Sequence, residues 1–330
     1  MFFVVSMIEE RYSEPISVVI PLYNKVNEIC RAIDSVLVQT IQDFELIIVD
    51  GGSIDGSLDV IQKYVVDERV TLLHQKSRGA AAGRNEGINA AKYGTVAFLD
   101  ADDEWCPNFL EMILRLRVKY PGAGFYATAY APCYGDNVGE PRLGDLPHAP
   151  WDGILPSYFR TSALAFVYPF LPSCVAIPKE TFDRIGTFNP SYRVGEDAEL
   201  WGRIALECPI AFTSSVGMKY SMVADNKLTD DHRVMVKHPF FDFLETYPEN
   251  KLKEHPDYEN ILLYLQKEEV ATALNNLYAK APREARNNLK NVSDKRFAKY
   301  KYVLLVLSYL PKPIISWIIP IANKVGRKEC

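Results

Sequence analysis

Apolar segments alternate with helix-like segments over the first 120 residues, and this alternation limits the folds open to the chain. The apolar segments are 16–22, 44–49, 70–74 and 95–99. The segments with helical spacing are 27–39, 57–66, 80–92 and 107–119. Strands that alternate with helices in this way form parallel sheets with helices on both faces. The sequence therefore predicts a doubly wound α/β sheet in this part of the chain.

The apolar segment 95–99 ends in four acids within five residues, Asp100 to Glu104. In open α/β sheets, ligands bind at the carboxyl ends of the strands. Carboxylates this close raise one another's pKa unless a cation lies between them, and Mg²⁺ or Mn²⁺ prefers oxygen ligands. Acids just before Pro107 could equally open the next helix, whose first turn favours negative charge. From this stretch alone, a metal site and a helix start both remain open.

Two neighbouring strands also end in residues that can bind ligands. Pro21 and Tyr23 lie at the end of the first strand, and Asp50 ends the second. An aromatic ring and a carboxylate can hold a nucleobase, and a metal ion nearby can hold a diphosphate. Neither GxGxxG nor GxxxxGK[ST] follows a strand, which argues against a dinucleotide or P-loop site. The strand ends together predict a site for a nucleoside diphosphate.

Beyond residue 120 the pattern changes. Strands are expected at 123–130, 173–178, 210–214 and 216–222, and helices at 179–185 and 196–207. Residues 131–170 are rich in Pro, Gly and Tyr and predict a long loop, which is usually functional or mobile in a compact enzyme. From about residue 228 the chain is expected to be helical, at 256–280, 282–291 and 295–309.

Bulk composition excludes several classes of protein. The 330 residues carry a net charge of −5, which argues against non-specific binding of nucleic acid. Six scattered cysteines without CxxC spacing suggest reduced thiols in a cytosolic compartment and no zinc site. The short apolar start lacks the basic region and cleavage site of a signal peptide, so we expect residues 1–14 to form an extension.

The C-terminal tail is strongly apolar over residues 303–322 and is followed by Lys324, Arg327 and Lys328. Its length approaches that of a membrane span, but Pro311 and Pro313 interrupt it. Apolar segments with aromatic residues and basic flanks fit an anchor in the membrane interface better than a span. A helix packed on the rest of the protein is the alternative.

Five segments, in this order and spacing, resemble the family 2 glycosyltransferases of the GT-A fold. They are SVVIPLYNK, DFELIIVDGGSIDGS, RGAAAGRNEGI, FLDADDEW and GEDAELWGR, and the resemblance covers about residues 15–225. It implies a GT-A (nucleotide-diphospho-sugar transferase) domain with a doubly wound mixed sheet. Residues 15–120 would be its nucleotide-binding half and 121–225 its acceptor-binding half, followed by a helical C-terminal region, 226–330, with an apolar, basic-flanked tail.

The resemblance also implies roles for individual residues. Pro21, Tyr23 and Asp50 would contact the base, and Arg78 lies near a position that often contacts base or phosphate. Asp100 and Asp102 would form the DxD motif, with Asp100 near the ribose and Asp102 on Mn²⁺ or Mg²⁺. Asp197 would be the catalytic base, although an acid at a helix start after Gly195 could simply cap the helix.

Two positions depart from the family pattern. Many members have VDDGS where this chain has Gly51 after Asp50. The first acid is kept, and a glycine at the second is tolerable if that position faces the turn. Some relatives supply a downstream histidine to metal or phosphate, for which His232 is the candidate here, but an ordinary surface histidine is favoured.

Other residues have two interpretations. Arg84 and Asn85 are expected to anchor a helix to the sheet, with nucleotide contact as the alternative. Trp201 is expected to pack its helix, with stacking on the acceptor sugar as the alternative. Five aromatic residues could line an acceptor groove or pack locally: Tyr126, Tyr130, Tyr134, Trp151 and Tyr158.

The resemblance implies an inverting glycosyltransferase at the cytoplasmic face of a membrane. It would move a sugar from a nucleotide-diphospho-sugar, a UDP-sugar above all, to a hydroxyl of a glycan or lipid-linked acceptor in polysaccharide biosynthesis. A sugar nucleotidyltransferase and a non-catalytic nucleotide-sugar-binding protein are the alternatives. The former is expected to have a Gly-rich basic loop after the first strand, which residues 21–25 do not supply.

Overall fold

The computed structural model of the chain describes residues 14–135, 137–166, 168–224 and 232–311. The chain divides into two compact units, Met1–Asn226 and Lys227–Cys330. Except for Glu14, the predicted N-terminal extension lies outside the described residues, and so does the predicted tail beyond residue 311.

The first unit is built on one mixed sheet. Its strands are β1 (Ile16–Leu22), β2 (Phe44–Asp50), β3 (Val70–His74), β4 (Thr95–Phe98), β5 (Glu104–Trp105), β6 (Phe125–Tyr134), β7 (Asn137–Val138), β8 (Asp152–Ile154), β9 (Val175–Pro178) and β10 (Ile210–Ser221). The order is β3-β2-β1-β4-β9-β6-β10-β5, with β7 beside β6 and β8 beside β10. β1 to β4 are parallel, whereas β9 runs antiparallel to both β4 and β6. The predicted mixed α/β sheet is confirmed.

Helices connect these strands. In the first unit they are α1 (Ile29–Leu37), α2 (Ser57–Ile61), α3 (Ala80–Ala90), α4 (Phe109–Lys119), α5 (Tyr158–Ala165), α6 (Lys179–Ile185) and α7 (Glu196–Glu207). The predicted helices 179–185 and 196–207 agree with α6 and α7, and Leu200, Ile204 and Leu206 on α7 are buried. The predicted helix 57–66 is shorter, because regular helix ends at Ile61.

The central strand β1 lies between β2 and β4. Val18, Val19 and Ile20 on β1 are fully buried. Side chains alternate between the two faces of a strand, so consecutive buried residues mean that both faces of the sheet are covered. This explains why the strand is an unbroken apolar run in the sequence.

Helix α3 approaches β1 closely at Gly87. A Cβ atom on Gly87 would lie 2.3 Å from Cγ1 of Val19, which is far inside contact distance. The small residues of this helix therefore allow it to lie directly on the sheet, and Arg84 on the same helix is brought close to the end of β4.

We expect Gly87→Ala to lower the free energy of unfolding by about 1–3 kcal/mol, the usual cost of overpacking a buried contact. Gly122→Ala is the matched control, because a Cβ there meets nothing within 4 Å. Urea denaturation of both variants measures the difference. An unchanged midpoint for Gly87→Ala would mean that α3 does not depend on this close approach.

The second half of the unit differs from prediction in two places. The predicted strands 210–214 and 216–222 form one strand, β10, with irregular register between Thr213 and Met218. Gly217 lies in this irregular segment, and a Cβ there would lie 2.4 Å from Oγ1 of Thr128.

The predicted loop 131–170 contains β7, β8 and α5, and Ser157 caps α5 by accepting from the Arg160 N–H.

The described part of the second unit, residues 232–311, is helical. Its helices are α8 (Pro239–Thr246), α9 (Glu249–Glu254), α10 (Tyr258–Tyr278), α11 (Pro282–Lys290) and α12 (Ala298–Leu307). Helices α10, α11 and α12 correspond to the predicted helices 256–280, 282–291 and 295–309. The shorter helices α8 and α9 precede them. Among the described residues, no helix combines the length and apolar character needed to cross a membrane.

Candidate functional site

The carboxyl ends of β1, β2 and β4 meet at one edge of the sheet. Leu22 on β1 pairs with Asp50 on β2, and the Leu99 N–H that follows β4 donates to the carbonyl of Val19 at 3.0 Å. The segments that begin at Tyr23, Asp50 and Asp100 therefore leave the sheet side by side. The parallel order brings together the three strand ends that the sequence singled out.

Asp50 and Tyr23 differ in their accessibility. The Asp50 carboxylate is buried and accepts from the backbone N–H groups of Gly52 and Ser53, both at 3.1 Å. The Tyr23 ring is 55% exposed, Pro21 is half-buried, and Arg78 is exposed in the loop before α3. Tyr23 is thus accessible at the edge, while Asp50 holds the turn that follows β2.

Gly51 fits its position closely. A Cβ there would lie 3.0 Å from Oε1 of Gln75 and 3.4 Å from the Leu22 carbonyl. A larger residue would therefore press on the Gln75 side chain. The turn leaves little room at the position where many family members have a second acid.

Asp100 pairs with a buried arginine. The Arg84 Nη2 donates to Asp100 Oδ1 at 2.7 Å, and the Arg84 side chain is only 4% exposed. The same guanidinium donates through Nη1 to Glu196 Oε1 at 2.9 Å. Arg84 therefore joins the end of β4 to the start of α7, which is a larger role than the predicted anchoring of a helix to the sheet.

Asp102 pairs with a lysine. The Lys25 ammonium donates to Asp102 Oδ2 at 2.8 Å, and Arg31 donates to the Asp102 backbone carbonyl at 2.7 Å. The Asp102 carboxylate is thus neutralised by a lysine from the loop between β1 and α1, which sequence reasoning did not anticipate. Lys25 follows the exposed Tyr23 by two residues, and this position is the sequence signal that could have indicated its pairing with Asp102.

The remaining two acids do not open the next helix, as the sequence suggested they could. Asp103 is buried and accepts from the Ser173 hydroxyl at 2.6 Å and from the Ser221 N–H at 3.2 Å. Burial raises the pKa of Asp103 well above its usual range, and the charges of Asp102 and Asp100 add to this. Glu104 lies on β5 and pairs with Lys219 at 2.6 Å. Both acids therefore secure the end of β4 to the rest of the sheet.

Asp197 lies at the start of α7, next to Glu196 and close to Arg84. Burial raises the pKa of Asp197, while the charge of Arg84 and the Ala198 N–H, which donates at 2.8 Å, oppose the change. Burial likewise raises the pKa of Glu196 to about 7, with the Asp197 charge adding and Arg84 opposing. Burial acts to lower the pKa of Arg84, but Asp100 and Glu196 outweigh it and raise that pKa.

Helix α7 is fixed by aromatic packing. Trp201 is 1% exposed and its ring lies 5.9 Å from that of Phe188, so it packs the helix as predicted. Asn85 donates to the Phe188 carbonyl at 2.7 Å and accepts from the Phe188 N–H at 3.1 Å. The segment before α7 is thereby held to α3, which carries Arg84.

Of the five aromatic residues considered for an acceptor groove, Tyr126 and Tyr158 are buried. They support the core and offer no ring face to a sugar. Tyr130 and Trp151 are half-buried, and Tyr134 is 39% exposed. An acceptor groove that uses these aromatic residues would therefore involve the latter three.

His232, which was considered as a ligand to metal or phosphate but expected to be an ordinary surface histidine, belongs to the second unit. It is exposed, its ring stacks on that of Tyr278 at 4.3 Å, and Nδ1 lies 3.1 Å from Asn275 Oδ1. In the described residues, no group of three or more His, Cys, Asp or Glu side chains could by itself hold a metal ion. The five cysteines in that part of the chain are free thiols.

Comparisons with known proteins agree with this architecture. The family model for glycosyl transferase family 2 matches residues 17–184. An uncharacterized glycosyltransferase of Rickettsia bellii is 32% identical over 187 residues, which is 56% of this chain and 26% of that protein. TuaG of Bacillus subtilis, named for teichuronic acid biosynthesis, is 38% identical over 137 residues, 41% of this chain and 53% of TuaG. The chain spans only 26 to 30% of the length of the three rickettsial relatives it matches.

The fold is also found in a solved structure. Residues 1–349 of S. aureus TarS, in complex with UDP-GlcNAc, superpose with a TM-score of 0.64 at 14% identity, and the match covers 89% of each chain. The predicted GT-A fold is thereby confirmed. Because the family model covers half of the chain, from β1 into α6, the chain belongs to glycosyl transferase family 2.

Proposed function

We propose that the protein transfers a sugar from a nucleoside-diphosphate sugar to a hydroxyl group of an acceptor, with inversion at the anomeric carbon. One observation carries the proposal: Arg84 contacts Asp100 at 2.7 Å and Glu196 at 2.9 Å. The strand end suited to the leaving group and the helix start that carries Asp197 therefore belong to one site. Sugar transfer requires that the leaving group be stabilised and the acceptor hydroxyl be activated at the same site.

The donor would bind at the edge formed by β1, β2 and β4. The exposed Tyr23 ring can stack on a base, beside Pro21, and Asp50 can accept from a base N–H if its turn opens to the ligand. Asp100 would lie near the ribose, and the exposed Arg78 could contact base or phosphate. TarS, which shares the fold, binds UDP-GlcNAc and UDP in its solved structures, which supports a UDP-sugar as the donor.

A divalent cation fits the donor chemistry of Asp102. Mg²⁺ is usually held by one or two carboxylates together with substrate phosphates and water, so an all-protein cluster is not required. The Asp102 side chain is 17% exposed and therefore reachable, although it must exchange its 2.8 Å contact with Lys25. Bound Mn²⁺ or Mg²⁺ would neutralise charge on the diphosphate leaving group. Lys25 stands beside the same carboxylate and could add positive charge for the diphosphate.

Asp197 would take the proton from the acceptor hydroxyl. A carboxylate accepts a proton more readily when its pKa is raised toward the working pH, and burial raises the pKa of Asp197. Glu196 and Arg84 would position it. In-line attack by the activated hydroxyl on the face opposite the diphosphate inverts the anomeric configuration, so an α-linked donor would give a β-linked product.

We further propose a glycan or lipid-linked acceptor in polysaccharide biosynthesis at the cytoplasmic face of a membrane. The name of TuaG, one of the relatives, supports a role in polysaccharide biosynthesis. The apolar, basic-flanked sequence from residue 303 onward supports attachment to the membrane surface. Failure of the full chain to bind lipid vesicles would contradict the membrane proposal without affecting the proposed chemistry.

The test of donor binding is a thermal-shift screen with Mn²⁺ and UDP-, GDP- and dTDP-sugars. We expect one UDP-sugar to stabilise the protein, by about 2.7 kcal/mol at a hundredfold excess over Kd. Asp102→Ala should abolish the part of this shift that depends on Mn²⁺, while Asp183→Ala, an exposed acid on α6, should keep it. No shift with any sugar nucleotide would contradict the proposal, and stabilisation without transfer to any acceptor would favour a non-catalytic binding protein.

A further inference from the structure

The second unit contains a basic cavity between α11 and α12. Its volume is about 590 Å³, and its eight lining residues include Arg283, Arg286, Lys290, Lys301, Leu305 and Tyr309. Four of these eight residues are cationic and none is acidic. The cavity therefore concentrates positive charge in a concave surface within the described part of this unit.

The positive charge comes from one face of each helix. Arg283, Arg286, Asn287 and Lys290 follow the spacing i, i+3, i+4, i+7 along α11, so they share a face. Lys301 and Leu305, four residues apart, line the cavity from α12. The arrangement thus results from the regular geometry of two neighbouring helices.

Hydrogen bonds and a ring contact hold two of the cations in place. Arg286 donates to the Ser308 carbonyl at 2.6 Å, and its guanidinium lies 4.7 Å from the centroid of the Tyr309 ring. Lys301 donates to the Val292 carbonyl. Arg283 and Lys290 are exposed, and the Lys290 ammonium donates to Asn287 Oδ1 at 3.0 Å. The cavity therefore combines cations held within it with accessible cations at its rim.

An exposed apolar stripe borders the cavity on α12 and in the turn that follows it. Tyr302, Val303, Val306 and Tyr309 are 64%, 52%, 65% and 72% exposed. Tyr302, Val306 and Tyr309 follow helical spacing, and Tyr309 also lines the cavity. Aromatic and aliphatic side chains beside Lys and Arg are typical of surfaces that lie in a membrane interface.

The sequence after α12 also supports contact with a membrane interface. Residues 312–330 come directly after this stripe, and their sequence combines the apolar segment 314–322 with Lys324, Arg327 and Lys328. Apolar and basic character therefore continue from α12 to Lys328. A surface of anionic lipid complements both properties, because it offers negative phosphates above an apolar layer.

We propose that the cavity between α11 and α12 binds the phosphate of an anionic lipid headgroup while the stripe of Tyr302, Val303, Val306 and Tyr309 enters the membrane interface. This deepens the membrane association proposed above and does not depend on sugar transfer. It assigns the contact to a defined face of the second unit in addition to the tail.

The test is flotation of the full-length protein with vesicles of phosphatidylcholine alone or an equimolar mixture with phosphatidylglycerol. Arg283→Ala/Lys290→Ala should weaken binding to the anionic vesicles by roughly 30-fold, since each basic residue near such a surface contributes about 1 kcal/mol. Lys251→Ala/Lys253→Ala is the matched control, because it removes two exposed charges from α9 and should leave binding unchanged. Tyr302→Ser/Val306→Ser should weaken binding to both kinds of vesicle.

Equal binding of anionic vesicles by Arg283→Ala/Lys290→Ala and by Lys251→Ala/Lys253→Ala would overturn the proposal that the cavity binds the headgroup, even if the wild type binds. If the wild type fails to bind anionic vesicles, both this inference and the proposed membrane association are wrong. Transfer to a soluble acceptor should be the same in all three double variants, so a failure of the proposed enzymatic function is distinguished by a separate measurement.

Discussion

Asp197→Asn is expected to lower kcat for sugar transfer by about 10²- to 10⁴-fold, the usual contribution of a general base. Asparagine keeps the size of the side chain but does not accept a proton at working pH. The Asp197 carboxylate accepts from the Ala198 N–H at 2.8 Å, and an asparagine oxygen can replace it there. The fold and donor binding should therefore be retained.

The measurement compares kcat with the thermal shift produced by the donor. Asp183→Asn is the matched control, because it makes the same chemical change at an exposed position on α6. We expect it to leave kcat unchanged. Near-normal transfer by Asp197→Asn would mean that Asp197 caps helix α7 and is not the base.

The pH dependence of the wild type tests the same assignment. A base must be ionised, so kcat should rise with pH as Asp197 loses its proton. Burial raises the pKa of Asp197, and the acid limb of the profile should therefore lie above the ordinary aspartate range. In Asp197→Asn that limb should disappear from the residual rate.

Arg84→Met should lower the free energy of unfolding by about 3–5 kcal/mol, the cost of removing one partner from a buried ion pair. Methionine has a similar length but leaves Glu196, Asp197 and Asp100 without the cation that lies among them. Arg115→Met is the matched control, since Arg115 pairs with Asp152 at 3.1 Å but is 39% exposed. For that partly exposed pair, we expect a loss of about 1 kcal/mol or less.

The loss in the free energy of unfolding that Arg84→Met causes should also depend on pH. Without the guanidinium, the folded-state pKa values of Glu196 and Asp197 rise further above their unfolded values. Between the unfolded and folded pKa values, the folded state then binds more protons, so the free energy of unfolding falls as pH rises. Urea denaturation from pH 5 to pH 8 should show a growing deficit. A constant deficit would mean that Arg84 contributes packing and not charge.

Arg84→Met should change catalysis as well. Because Arg84 opposes the rise in the pKa of Asp197, its removal should move the acid limb of the kcat profile to higher pH. A purely structural role would reduce the amount of active enzyme without moving this limb. Arg84→Lys, which keeps the positive charge, should return the acid limb of the kcat profile part of the way to its position in the wild type.

Much of the fold follows from local sequence pattern. The apolar run of β1 and the alternation up to α4 indicated the order of strands and helices, and α6 and α7 begin and end as expected. Predictions were less accurate where the pattern is weak. In residues 131–170 the short elements β8 and α5 depend on pairing with β10 and on the Ser157 cap.

The sequence by itself determined which residues stand at the strand ends, because side-chain periodicity and turn residues act over a few positions. Only the tertiary structure decided how the acids after β4 are neutralised. Lys25 and Asp102 are 77 residues apart, and Arg84 and Glu196 are 112 apart. Such pairs form only when the parallel order of the sheet and the placement of α7 bring distant segments within reach, and local periodicity carries no information about that distance.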